Sequence, residues 1–167
     1  MRLDEVVRQK FRLYRIRPAL MKSNGFDFEY ILNIGDPITS YREITEEEKP
    51  RLDGTIMELM DNAYKAIYGT PEPHRSDNIK ELKKIRGKLE IGLSEEKDYY
   101  LISVRDDGCG IPEENFEAIF QRGFSTMDTG GIGLTIIQKY VDELGGAVRF
   151  ESEVGKGTTF YIEIPKD

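Results

Sequence analysis

The sequence predicts an α/β (α+β) chain: a two-layer sandwich in which a mixed, mostly antiparallel sheet packs on helices. Three observations predict it. Stretches with apolar residues at the helical period recur along the chain; short alternating stretches lie between and after them; Gly- and Pro-containing turns separate the two kinds. In order, residues 3–21 are expected to be a helix with Leu3, Val6, Val7, Tyr14 and Leu20 apolar, ended near Pro18. Phe26 to Asn33 (FDFEYILN) is expected to be a strand, followed by a turn at Gly35-Asp36-Pro37. Thr45 to Glu48 (TEEE) fits a capping box, and Pro50 suits the first turn of the helix that runs to about Tyr68. Residues 69–78 (GTPEPHRSDN) are a loop by composition, and 79–86 a short basic helix. Leu89, Ile91 and Leu93 alternate with polar or small residues, as do the residues of 99–104, which predicts a hairpin joined near Glu95–Asp98. Residues 113–121 read as a short helix and 122–131 as a loop. Residues 132–144 read as a helix with Ile132, Ile136, Ile137, Tyr140, Val141 and Leu144 apolar, stopped by Gly145-Gly146. Strands at 147–152 and 158–164 flank a turn at Gly155-Lys156-Gly157.

The chain has 167 residues, 38% hydrophobic and 33% charged, as expected of one globular domain spanning 1–167. A net charge of −7 argues against nonspecific nucleic-acid binding. Residues 1–22 run against that balance, with seven Lys and Arg (Arg2, Arg8, Lys10, Arg12, Arg15, Arg17, Lys22) against Asp4 and Glu5. A basic helix can meet a membrane surface or an acidic partner; a solvated face of a leading helix is the plainer account. One cysteine, Cys109, excludes a disulfide framework, and the one histidine is His74. Nothing resembles a signal peptide and no apolar run approaches the roughly 20 residues that span a bilayer, so a cytoplasmic location is expected.

In ELMDNAYKAI (58–67), Glu58, Asn62 and Lys65 share one narrow stripe at about 100° per residue. Ile56, Leu59, Met60, Ala63 and Ile67 occupy the opposite face. A polar stripe is ordinarily a solvated face, yet an acid, an amide and an amine at spacings four and three equally suit a pocket wall. Three glycine-rich stretches accompany it: DDGCG (106–110) at the end of a strand, GGIGL (130–134) entering a helix, and GKGTTF (155–160) entering a strand. An aspartate such as Asp106 can accept a hydrogen bond from an exocyclic amine, and glycines let a ligand approach the backbone. A glycine-led helix start exposes amides toward an anion such as phosphate. Singly, each stretch is an ordinary turn, and neither the P-loop nor the dinucleotide fingerprint is present.

The succession is more specific: E-x-x-x-N-x-x-K on a helix, D-x-G-x-G after a strand, FQRGF, G-x-G-L entering a helix, and G-x-G-T at a strand turn. It resembles the ATP-binding domain of the sensor histidine kinases over nearly all of 26–165. That domain belongs to the Bergerat-fold superfamily with gyrase, the ninety-kilodalton heat-shock chaperones and the mismatch-repair ATPases. The resemblance implies Mg²⁺ and ATP as cofactors. Asn62 would then hold Mg²⁺ against the phosphates, Lys65 would face them as a point charge, and Glu58 would orient or activate the attacking group. Asp106 would bind the adenine amine in a pocket shaped by Gly108, Gly110 and Ile111. Phe120 and Phe124 match the F box. Arg122 stands beside the lid, Gly131 and Gly133 match its hinge glycines with Leu134 following, and Thr158 lies toward the adenine end.

The sequence departs from that pattern in places. Ala66 stands where an aromatic residue often follows the lysine, FQRGF carries one residue more than the common F-x-x-F spacing, and the lid segment STMDT is short. His74 follows the Asn62 helix and lies in no phosphoacceptor box. The resemblance therefore implies that the phosphoacceptor histidine and the response regulator act in trans, and two alternatives stay open: the catalytic half of a larger kinase, in which 1–22 could be a stub from a dimerisation helix, or a stand-alone ATP-binding protein that acts on another chain. Other members of the superfamily remain open at this point: an anti-sigma-factor-like regulator or serine kinase, or a gyrase-like ATPase.

Overall fold

The computed structural model describes residues 1–14, 27–35, 38–40, 42–68, 86–121 and 133–166. A five-stranded sheet carries the fold: β1 (Asp27–Ile34), β2 (Arg86–Glu95), β3 (Tyr99–Asp106), β4 (Ala147–Glu153) and β5 (Gly157–Pro165), in the spatial order β1-β2-β3-β5-β4. β1 and β2 run parallel; every other pair is antiparallel. Among the described residues three α-helices accompany it: α1 (Leu3–Tyr14), α2 (Glu48–Tyr68) and α3 (Gly133–Glu143). The sandwich expected from the sequence is the one observed.

Period-two patterning sets which face of the sheet is buried. Leu89, Ile91 and Leu93 of β2, Tyr100, Ile102 and Val104 of β3, and Phe160, Ile162 and Ile164 of β5 form one apolar layer beneath the helices. The register aligns them in rows, with Ile102 opposite Ile162 and Val104 opposite both Ile91 and Phe160. α2 supplies the facing layer with Leu52, Ile56, Leu59, Met60 and Ala63, all buried, as the helical period required.

The capping box at the start of α2 forms as read. The Glu48 N–H donates to Thr45 Oγ1 at 3.2 Å, and the Thr45 N–H donates to a Glu48 carboxylate oxygen at 2.9 Å. α3 ends in a Schellman motif: Gly146 N–H bonds to the Val141 carbonyl, Gly145 N–H to that of Asp142, and Gly145 takes φ +70°. α3 lies antiparallel on α2. Arg51 pairs with Glu143 near one end of the contact, and Gly54 meets the ring of Tyr140 in the middle.

Some expectations are corrected, and others fall partly outside the described residues. The leading helix is described over Leu3–Tyr14 only; the rest of 3–21, including Pro18, lies outside the described residues. Of the segment read as a basic helix, only Arg86 is described, and it belongs to β2, because pairing with β1 begins there. Residues 113–121 form a short 3₁₀ helix (Glu113–Asn115) and then successive turns rather than a regular helix. A segment this short does not hold α-helix alone. Packing decides its winding: Ile119 is buried, while Phe116 and Phe120 meet the Phe150 ring edge-on at 4.9 and 6.0 Å. On α3, Ile137 and Val141 are buried, but Ile136 turns outward, since one residue is about 100° of helix.

The basic character of α1 is largely answered inside the chain. Asp4 pairs with Arg2 and Arg8, and Asp53 of α2 pairs with Lys10 at 3.0 Å. On its other face Leu3, Val6 and Val7 are buried in the main core, and Phe11 stacks on Tyr30 with ring centroids 4.3 Å apart. No described helix is long and apolar enough to cross a membrane.

Candidate functional site

The end of β3 builds one wall. Tyr100, Ile102 and Val104 point into the core, and Asp106 continues their phase, so its carboxyl enters the same buried layer. It is 5% exposed. Burial raises its pKa to about 6, opposed by the Gly108 and Thr158 amides and assisted by the neighbouring Asp107 charge. Oδ1 accepts the Gly108 N–H at 2.9 Å, so the turn after the strand holds the carboxyl in place. Asp107 points the other way and accepts the Lys88 N–H at 2.7 Å, anchoring the same turn to β2.

The glycines of this turn are there for close approach. A Cβ on Gly108 would lie 2.5 Å from the Ala66 carbonyl carbon and 2.7 Å from Ala66 Cβ. The Cys109 N–H donates to the Ala66 carbonyl at 3.0 Å. Gly110 takes φ +74°, with Glu153 backbone where a side chain would stand. The turn is therefore seated on the backbone and Cβ of Ala66, the position at which the sequence departs from the family pattern.

Opposite lies the polar stripe of α2. Glu58, Asn62 and Lys65 are each partly buried, and none makes a hydrogen bond or ion pair among the described residues. Glu58 reaches the first residue of α3: a Cβ on Gly133 would lie 2.1 Å from its Oε1. Residues 58, 62 and 66 are successive turns on one side of the helix. The amino end of α3 therefore docks at one end of that line and the Asp106–Gly110 turn at the other. Eight residues of helix, about 12 Å, separate them, with Asn62 between.

A hydroxyl network closes the strand side. Thr158, 5% exposed, faces Asp106 across the β3–β5 pair. Its Oγ1 lies 2.8 Å from Ser152 Oγ, which also donates to the Gly157 carbonyl and accepts the Ile111 N–H at 2.7 Å. Sequence reasoning missed Ser152. Its signal was its place opposite Thr158 in the final hairpin, which only the register shows. Ile111, Phe120 and Leu134 pack on the edge of the core, and Thr135 Oγ1 donates to the Phe120 carbonyl, tying the F-box turn to α3.

The structure thus brings Glu58, Asn62, Lys65, Asp106, Gly108, Gly110, Ile111, Gly133, Leu134 and Thr158 to the α2–β3–α3 side of the sandwich. Arg122, Phe124 and Gly131 lie outside the described residues, as does His74. No cluster of three or more His, Cys, Asp or Glu suited to a metal occurs among the described residues. The donors present, an amide and a carboxylate one turn apart on α2, suit a cation such as Mg²⁺ that takes few protein ligands and keeps phosphate and water oxygens for the rest.

The fold is that of histidine kinase catalytic domains. Residues 47–167 match the family described as histidine kinase-, DNA gyrase B-, and HSP90-like ATPases, and the chain belongs to that family. It is 40% identical over 126 residues to the sensor histidine kinase DpiB of Escherichia coli K12, covering 70% of this chain and 21% of that one. The nucleotide-free catalytic domain of histidine kinase ThkA superposes with a TM-score of 0.72 at 27% identity, covering 98% of this chain and 94% of that one. ThkA in complex with the response regulator TrrA matches with a TM-score of 0.70 at 26% identity, covering all of this chain (100%) and 41% of that one. The chain spans about a fifth of the length of three such sensor kinase relatives, from 18% to 21%.

Proposed function

We propose that this chain binds Mg-ATP between α2, the Asp106–Gly110 turn and the amino end of α3, and presents the γ-phosphate to a histidine on another domain or chain. The observation that carries the reading is the docking of two glycine-bearing segments on one line of α2, with Asn62 between them. The spacing of about 12 Å suits a nucleotide laid along the helix, adenine at Asp106 and phosphates toward Glu58. Asp106 accepts the adenine amine, and Gly108, Gly110, Ile111 and Thr158 wall that end. Lys65 faces the phosphates. By the family resemblance Arg122, Phe124 and Gly131 would also serve the nucleotide, and Gly133 and Leu134 lie at the start of α3. Asn62 would hold Mg²⁺, which when bound neutralises phosphate charge. Glu58 orients or activates the incoming nucleophile. Catalysis on this reading rests on placement and charge rather than on a covalent enzyme intermediate.

The kinase relatives support transfer to histidine over the other activities of the superfamily, and the ThkA–TrrA complex supports a response regulator as downstream partner. A domain that consumes ATP is placed in the cytoplasm. Calorimetry tests the site. Wild type is expected to bind Mg-ATP with a Kd between about 1 μM and 1 mM, while Asn62→Ala and Asp106→Ala lose most of that affinity. Unchanged affinity in both variants would remove the nucleotide from this face.

A further inference from the structure

Gly133 opens α3 without needing glycine's conformational freedom: unlike Gly110 and Gly145, it does not adopt positive φ. What it lacks is space. A Cβ there would stand 2.1 Å from Glu58 Oε1, 2.8 Å from Cδ and 3.1 Å from Cγ. We propose that Gly133 is a positioning residue for Glu58, its missing side chain being the notch that holds the Glu58 carboxylate against the amino end of α3. The inference deepens the proposed function and rests on it, because it assigns Gly133 to the phosphate side of the site through Glu58 rather than to lid movement.

Three features support this. The three nearest atoms to that virtual Cβ among the described residues all belong to one flexible side chain. At Gly108, by contrast, the neighbours are the backbone and Cβ of Ala66, which cannot swing away. α3 is also fixed on α2 at two further places, the Arg51–Glu143 pair and the Gly54–Tyr140 contact. A methyl group at 133 therefore moves the carboxylate and not the helix. Finally, a carboxylate at a helix amino end is favourably placed by the dipole, so the notch holds it where it is already drawn.

The test compares wild type, Gly133→Ala, Glu58→Ala and the double variant by melting temperature and by Mg-ATP affinity. With Glu58 present, Gly133→Ala is expected to bring no gain in Tm and to weaken Mg-ATP by about threefold or more. In the Glu58→Ala background the same substitution raises Tm by about 2 °C, because alanine is the better helix former. It then leaves affinity within about twofold, the non-additivity expected of residues in contact. Equal shifts in both backgrounds overturn the pairing and return Gly133 to a backbone role. If wild type binds no Mg-ATP, the proposed function fails separately, and the Tm comparison alone still decides the pairing.

Discussion

At the end of the buried row of β3, Asp106 sets stability against binding. A buried carboxylate whose pKa rises from 3.8 to about 6 withholds about 2–3 kcal/mol of folding free energy once ionised. The sign follows from the raised value: the group is most compatible with the fold below pH 4, and its cost grows through pH 4–6 and stays constant above. Asp106→Asn is therefore expected to melt several degrees above wild type at pH 8, with the difference closing between pH 6 and pH 4, read by thermal unfolding across pH. The same variant should lose nucleotide affinity at neutral pH. Wild-type affinity should fall as pH drops through about 6 relative to Asp106→Asn, because the ionised carboxylate is the better acceptor for an amine. Gly108 gives a second residue-scale prediction. Its virtual Cβ meets backbone, so Gly108→Ala forces the turn off α2 and is expected to cost about 2 kcal/mol or more along with nucleotide binding, measured by denaturant unfolding and calorimetry.

At the scale of elements, α2 does most of the organising. Its start is fixed by the reciprocal Thr45–Glu48 bonds, its apolar face by the sheet, and its polar line by two docked segments. Thr45→Ala is expected to lower stability by about 1 kcal/mol without changing the denaturant m-value, since only the helix end is affected. This element was legible from sequence almost to the residue, because the capping box and the 3.6-residue period are local. The segment 113–121 was not. Its winding answers to the Phe150 ring, some thirty residues further along the chain, against which Phe116 packs while Ile119 is buried.

For the whole molecule, a knot far along the sheet from Asp106 binds distant parts of the chain. Glu95, at the end of β2, accepts hydrogen bonds from the Thr39 and Ser40 amides and hydroxyls, and pairs with Lys166 at 2.8 Å. Lys166 and the Ser40 hydroxyl lead the effects that hold its carboxyl well below the usual range. A lowered carboxylate pKa supplies stability above about pH 4.5 that fades with acid. Glu95→Gln is accordingly expected to show a shallower loss of stability below pH 4.5 than wild type, followed by acid titration of the fold. α1 belongs to the same scale: Leu3, Val6 and Val7 complete the main core, so Val6→Ala is expected to cost about 2 kcal/mol, measured by denaturant unfolding.

The sequence by itself determined the sandwich, the hairpins, the caps of α2 and α3, and the order of motifs that placed the chain among ATP-binding kinase domains. Those features are local or periodic, and each is written in residues that are neighbours in the chain or one turn apart. Only the tertiary structure decided that Asp106 is the last member of a buried row, that Ser152 holds Thr158, that Gly108 rests on Ala66, and that Gly133 makes room for Glu58. Those relations depend on strand register and on contacts between elements, and at Gly108 and Gly133 the absence of one methyl group sets what can lie beside it.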